Sequence, residues 1–280
     1  VADFLASAGS YLFLQNALWA ALLASVACGI VGSLVVCNRL TFLAGGASHA
    51  AYGGIGLAIY FGWPPLLCTL LFSLGASLLM GFVSLHTPAR LAGKEGGADA
   101  AIGVLWAAGM AFGIILIELT PGYTGELMGY LFGSILTVPR ADIWAMALFD
   151  VLLVVVLLFF RQGLWAISID KDFAQARGLP VRFLYLLLVG LTALAVVMLI
   201  RIVGLILVLA LLTIPPAIAR RFCRSLYSCM VVAGLCSLLF SLAGLVLAWY
   251  TNISSGAAII AVSTLAYGLA SLPSLQRKTE

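Results

Sequence analysis

The chain has 280 residues, 64% of them hydrophobic and only 9% charged, with a net charge of +4 and a mean hydropathy of +1.20. A soluble domain carries roughly a quarter charged residues, so this chain cannot cover its own surface with polar groups, and its basic residues are spread among loops rather than gathered into a nucleic-acid patch. Repeated apolar runs of spanning length make it an all-α polytopic membrane protein, read as one transmembrane domain over residues 1–280.

Nine spans are predicted in chain order, near 11–37, 41–60, 64–85, 99–119, 141–161, 183–201, 203–220, 226–249 and 256–272. The opening "VADFLASAGS" lacks a basic n-region and is not read as a secretory signal. The third span starts at "WPP" and the last follows "TNISSG", both turn chemistry. Residues 122–138, "GYTGELMGYLFGSILTV", are too short and too broken by glycine to cross, and are expected to form a re-entrant or interfacial helix on the outer side. The six cysteines show no C-x-x-C pair and read as small buried hydrophobes.

Charge tests this map. With 170–180 placed inside, one side collects Arg39, Arg90, Lys94, Arg161, Lys171, Arg177, Arg182, Arg220, Arg221, Arg224, Arg277 and Lys278, leaving only Arg140 and Arg201 of the 14 basic residues elsewhere. That asymmetry obeys the positive-inside rule and puts the N-terminus outside and the C-terminus in the cytoplasm.

The segment "DKDFAQARGLPVRF", residues 170–183, is polar and lies between two apolar runs. Asp172 is expected to cap a short helix with Gln175 at the capping-box spacing, Gly178 suits the left-handed position after the last turn, and Pro180 prevents continuation. Ala174 and Ala176 are small enough for close approach, with Lys171 and Arg177 at the rim. Two readings stand: an interfacial helix joining two spans, or a knob for a groove on a cytoplasmic partner.

His49 is the only histidine inside a predicted span, in "GGASHAAYGG", with Ser48 beside it and glycines one turn either way. It is either a packed histidine or a ligand for a borderline divalent metal. Asp150 falls within the fifth span, where a charge needs a partner or a wet cavity. It is read either as a carboxylate along a permeation pathway or as half of an ion pair, with Arg201 one candidate. Glu118, Glu126 and Arg140 lie on the outer side, available to a docking partner or simply solvated, and His86 and Asp99 read as interfacial anchors.

"DFAQARGLPV" resembles the coupling-helix segment of ATP-binding-cassette importer permeases. "CNRLTFLAGGASHAAYGGIGLA", "ADAAIGVLWAAGMAFGI", "LIRIVGLILVLALLTIPPAIARRF" and "SSGAAIIAV" follow the order seen in the zinc/manganese/iron permease family of those importers, related in fold to the cobalamin and siderophore permeases. The resemblance implies a type II importer permease of eight or nine spans in the bacterial cytoplasmic membrane. It implies a homodimer served by two cytoplasmic ATPase subunits and an extracytoplasmic metal-binding protein, with a transported divalent metal rather than a resident cofactor. By the same resemblance, His49, with Ser48 beside it, belongs to the pathway, while Asp150 stays open between a carboxylate on that pathway and a structural ion pair. Asp172, Ala174, Gln175, Ala176, Arg177 and Gly178 are expected to meet the ATPase, and from their place on the outer side Glu126 and Arg140 are charges available to the binding protein. The chain departs from the family where many members carry aspartate four residues before the histidine, since Gly45 stands there.

"LAGKEGG" at 91–97 lacks the spacing and hydroxyl of a phosphate loop, so if transport is ATP-driven another chain must supply the hydrolysis. The alternative, an ion-coupled secondary transporter, needs intramembrane acids, and Asp150 is the one clear candidate. An intramembrane enzyme is disfavoured: there is no H-E-x-x-H, no G-x-S-x-G and no paired aspartates.

Overall fold

The computed structural model describes residues 11–86, 97–121 and 135–272, and these are helical with no strand among them. In chain order the helices are α1 (Leu12–Cys37), α2 (Thr41–Phe61), α3 (Pro65–His86), α4 (Gly97–Glu118), α5 (Arg140–Phe159), α6 (Arg161–Ile169), α7 (Lys171–Ala176), α8 (Val181–Val203), α9 (Leu205–Phe222), α10 (Leu226–Thr251) and α11 (Ser255–Ala270). Punctuation follows local chemistry. Gly62 (φ +69°) and Gly204 (φ +81°) take the positive φ at the ends of α2 and α8, and Asn252 does so after α10. Pro65 opens α3 where its missing N–H costs nothing.

Seven of these helices are long and apolar enough to cross a membrane: α1, α3, α4, α5, α8, α9 and α10. This is fewer than the nine spans expected. The other two are helical but differ physically. α11 has 16 residues, about 24 Å of helix against a hydrocarbon core of about 30 Å. α2 is long enough, but its glycines, Ser48 and His49 dilute its hydropathy. The expected re-entrant helix falls largely outside the described residues, which show only a 3₁₀ turn at Ile135–Thr137 near its end.

The chain divides into two compact units, Val1–Val36 with Leu127–Val155 and Met198–Glu280, and Cys37–Glu126 with Val156–Val197. In the second, α2 is buried along most of its length against α3 and α4. Its glycines permit this. A Cβ on Gly54 would run into the backbone of Cys68 and Thr69 in α3, and one on Gly56 into the backbone of Gly113 in α4. Ser73 of α3 donates to the Ala47 carbonyl at 3.1 Å, a polar tie between the two helices. Because backbone meets backbone at Gly56, Gly56→Leu is expected to lower the melting temperature in detergent. An overpacking cost of about 1–3 kcal/mol is expected there, whereas Gly75→Leu, where a Cβ meets nothing within 4 Å, shifts it little.

In the first unit α9, α10 and α11 pack together with α1. Within α1, residues Cys28–Gly32 form one π-helical turn, a local widening that often marks functional positions. Around that turn Gly29 lies against Met230 and Gly234 of α10, and Gly32 against the Leu212 carbonyl and Pro216 of α9.

Candidate functional site

His49 projects from the middle of α2 and is partly buried. Its ring stacks on Trp106 of α4, with centroids 4.5 Å apart and planes 28° from parallel. Its Nδ1 is buried and has no hydrogen-bond partner among the described residues. A packed structural histidine would normally satisfy that nitrogen; here it is left as a free lone pair or proton, oriented by an aromatic plate. One turn on, Tyr52 is also buried with an unpartnered hydroxyl. Ser48 is fully buried and donates to the Ala44 carbonyl at 2.9 Å, so its hydroxyl proton is committed to its own helix. One turn before His49, at Gly45, there is no carboxylate.

The polar segment builds a second candidate locus in the same unit. α7 spans Lys171–Ala176, and its N-cap is Asp170, whose carboxylate accepts from the N–H groups of Asp172 at 2.9 Å and Phe173 at 3.1 Å. This corrects the expected cap: Asp172 lies inside the first turn, where its charge complements the positive end of the helix, and no capping box with Gln175 forms. The C-terminal signal holds. Gly178 is left-handed at φ +76°, its N–H donates to Gln175, and that of Leu179 donates to Ala174. These two bonds are the Schellman pair.

Asp172, Gln175, Ala176, Arg177 and Gly178 are exposed, but Ala174 is 0% exposed and anchors the helix instead of facing outward. Phe173, which the sequence reading passed over, is 54% exposed, with the Arg177 guanidinium 5.1 Å from its ring centre. Just before it, α6 buries Gly163, Leu164 and Ile167 and leaves Trp165 and Ile169 exposed. An apolar side chain in an otherwise polar turn was the available signal.

The base of α7 is tied to longer helices. The Lys171 ammonium lies 4.9 Å from the centre of the Tyr185 ring of α8, where partial burial lowers its pKa, and the Tyr185 hydroxyl donates to Ser84 of α3 at 3.2 Å. These contacts join α7 to α8 and, through Tyr185, to α3. Asp170→Ala removes both cap bonds and is expected to destabilise α7 by about 1 kcal/mol, read as faster amide exchange at Asp172 and Phe173 with the exchange of α8 unchanged.

In the first unit Asp150 lies on the buried face of α5 with Met146, Phe149 and Leu153. The ion pair proposed for it with Arg201 is not made: Arg201 pairs with Asp142, near the start of α5, at 3.2 Å. Arg140 opens α5, is exposed, and lines a cavity of about 470 Å³ with Asn16, Trp19 and Trp144 among others. Glu126 lies outside the described residues. No cluster of three or more histidine, cysteine, aspartate or glutamate side chains occurs among the described residues.

The ABC 3 transport family profile matches residues 10–273. An uncharacterized membrane protein of Synechocystis sp. is 49% identical over 92% of this chain and 89% of its own length. The manganese transport system membrane protein MntC of Halalkalibacterium halodurans is 30% identical over 93% and 87%. Among solved structures, a chain of PsaBC from Streptococcus pneumoniae superposes with a TM-score of 0.86 at 27% identity, covering 99% of this chain and 97% of that one. Helices of membrane length, one exposed helix capped at both ends and a match along nearly the whole chain lead to one assignment: this is a multi-pass bacterial inner-membrane protein that belongs to the ABC 3 transport family.

Proposed function

We propose that the chain is the permease subunit of an ATP-driven importer of a divalent transition metal. Two copies form the pathway, separate cytoplasmic ATPases supply the energy, and an extracytoplasmic binding protein delivers the metal to a surface that includes Glu126 and Arg140. His49, with Ser48 beside it, and Asp150 act on the cargo in transit. Asp172, Phe173, Gln175, Ala176, Arg177 and Gly178 form the contact for the ATPase, with Ala174 holding them in place. The observation that carries this reading is α7: a six-residue helix in a family of transport proteins, stopped at both ends by its own capping bonds and exposed along its polar face. A loop that merely joined two spans would have no need of such definition.

Manganese is the first cargo to assay, because relatives such as MntC carry that name. Zinc is the second, because an imidazole with Gly45 in place of a neighbouring carboxylate suits a nitrogen-preferring ion. The test is uptake into liposomes holding the chain, its co-purified ATPase and its binding protein. Accumulation that requires ATP supports the proposal. Full-rate uptake by the chain alone would place an ion-coupled secondary transporter first.

A further inference from the structure

In the second unit the turn that leads into α2 is tied to α6, the helix that runs directly into α7. Asn38 is 7% exposed, and its Nδ2 donates to the Ser168 Oγ of α6 at 2.8 Å. Ser168 in turn donates to the carbonyl of Leu164 at 2.6 Å, a residue that α6 buries. Next to Asn38, Arg39 is held at φ +58°, a left-handed backbone that few residues other than glycine adopt. Leu40, at the start of α2, makes no side-chain cap bond. The Asn38 amide is thus a polar anchor for this end of α2, in a turn whose backbone the surrounding structure must hold.

The partner helix is rigidly placed. Asp170 closes α6 and is also the N-cap of α7, so no flexible link separates the two. Gly163 of α6 lies so close to Leu184 of α8 that a Cβ there would collide with it. Ser168 stands just before the cap of α7, and Asn38 just before Thr41, the first residue of α2. About two turns further along α2 comes His49, on a helix buried along most of its length. A helix packed in that way shifts as a unit rather than deforming.

We propose that Asn38 is the positioning residue through which a displacement of α7 reaches α2 and the histidine it carries, by way of the hydrogen bond to Ser168. The inference deepens the importer reading and rests on it for the ATPase that moves α7. A bond that only stapled the turn would matter to stability alone. One that transmits movement matters to how much metal crosses for each ATP hydrolysed.

The test uses the full-length chain with its co-purified ATPase and its binding protein in liposomes, with metal uptake and ATP hydrolysis measured together. The metal is manganese or zinc, whichever the unmodified complex accumulates. Ser168→Ala should lower the metal carried per ATP by roughly fivefold or more, the lower end of couplings between separated sites. Hydrolysis should continue, with ATPase co-purification and melting temperature unchanged. Ser168→Thr, which keeps the hydroxyl, should restore the ratio. Asn38→Ala should match Ser168→Ala, and the double variant should be no worse than either, because each removes the same bond. Should Asn38→Ala fail to fold, the two Ser168 variants read the same tie. Amide exchange provides a readout without transport: ATP added to the ATPase-bound chain should alter exchange over residues 41–48 in the unmodified protein and not in Ser168→Ala. A normal ratio in Ser168→Ala, an equal loss in Ser168→Thr, or the same exchange response in both chains would each overturn the assignment. Absence of ATP-driven uptake with the exchange response intact would count against the importer reading alone.

Discussion

Replacing Gly178 with aspartate is expected to abolish ATP-driven metal uptake while the protein still inserts and purifies at normal yield. Gly178 has φ +76°, and a Cβ built there meets nothing within 4 Å. The substitution therefore costs backbone strain of about 1–2 kcal/mol, reduced because aspartate tolerates the left-handed region better than most residues. What it adds is a negative charge at the negative end of α7, on the face proposed to meet the ATPase. Gly178→Asn separates the two effects: it has nearly the same shape and backbone tolerance without the charge, and should keep a substantial part of uptake. Co-purification of the ATPase should fall in parallel with uptake in the aspartate variant. Wild-type uptake there would remove α7 from the coupling role.

The second large effect is expected at His49. His49→Ala removes the imidazole that stacks on Trp106 and the unpartnered Nδ1 it carries. Metal flux should drop by roughly ten- to a hundredfold, the range in which loss of a group supporting a metal site falls. ATPase co-purification should not change, because α7 is untouched. Uptake measured across metal concentrations locates the defect: lost affinity raises the concentration for half-maximal flux, whereas a collapsed α2 lowers the yield of folded protein. Undiminished flux would mean that the histidine is a packing residue.

Much of this was legible because apolar length and turn chemistry are local. The helices, the breaks at Gly62, Gly204 and Asn252, and the left-handed Gly178 all depend on neighbours within a few residues. Where two local answers competed, the sequence could not choose. "DKD" offers two capping aspartates, and only the backbone shows that Asp170 accepts the bonds and Asp172 does not. Likewise α5 offers Arg201 both Asp142 and Asp150, and the pair that forms strands Asp150. The Trp106 plate over His49 joins residues far apart in sequence and follows no spacing rule. α2 is set apart from the seven most apolar helices because length and a mostly apolar alphabet hide a composition that suits burial in protein better than contact with lipid.

That last property reaches back to how the chain enters the bilayer. A segment crosses from the translocon into lipid on the strength of its own side chains, and glycine, serine and histidine contribute little or oppose it. α2 has five glycines, one serine and one histidine in 21 residues, so alone it is a poor candidate for lateral release. Its glycines accept α3 across the short link around Gly62 and Trp63, while α3 brings an apolar face of its own. The helix that carries His49 is thus expected to enter the membrane as half of a hairpin, waiting on the helix that follows it.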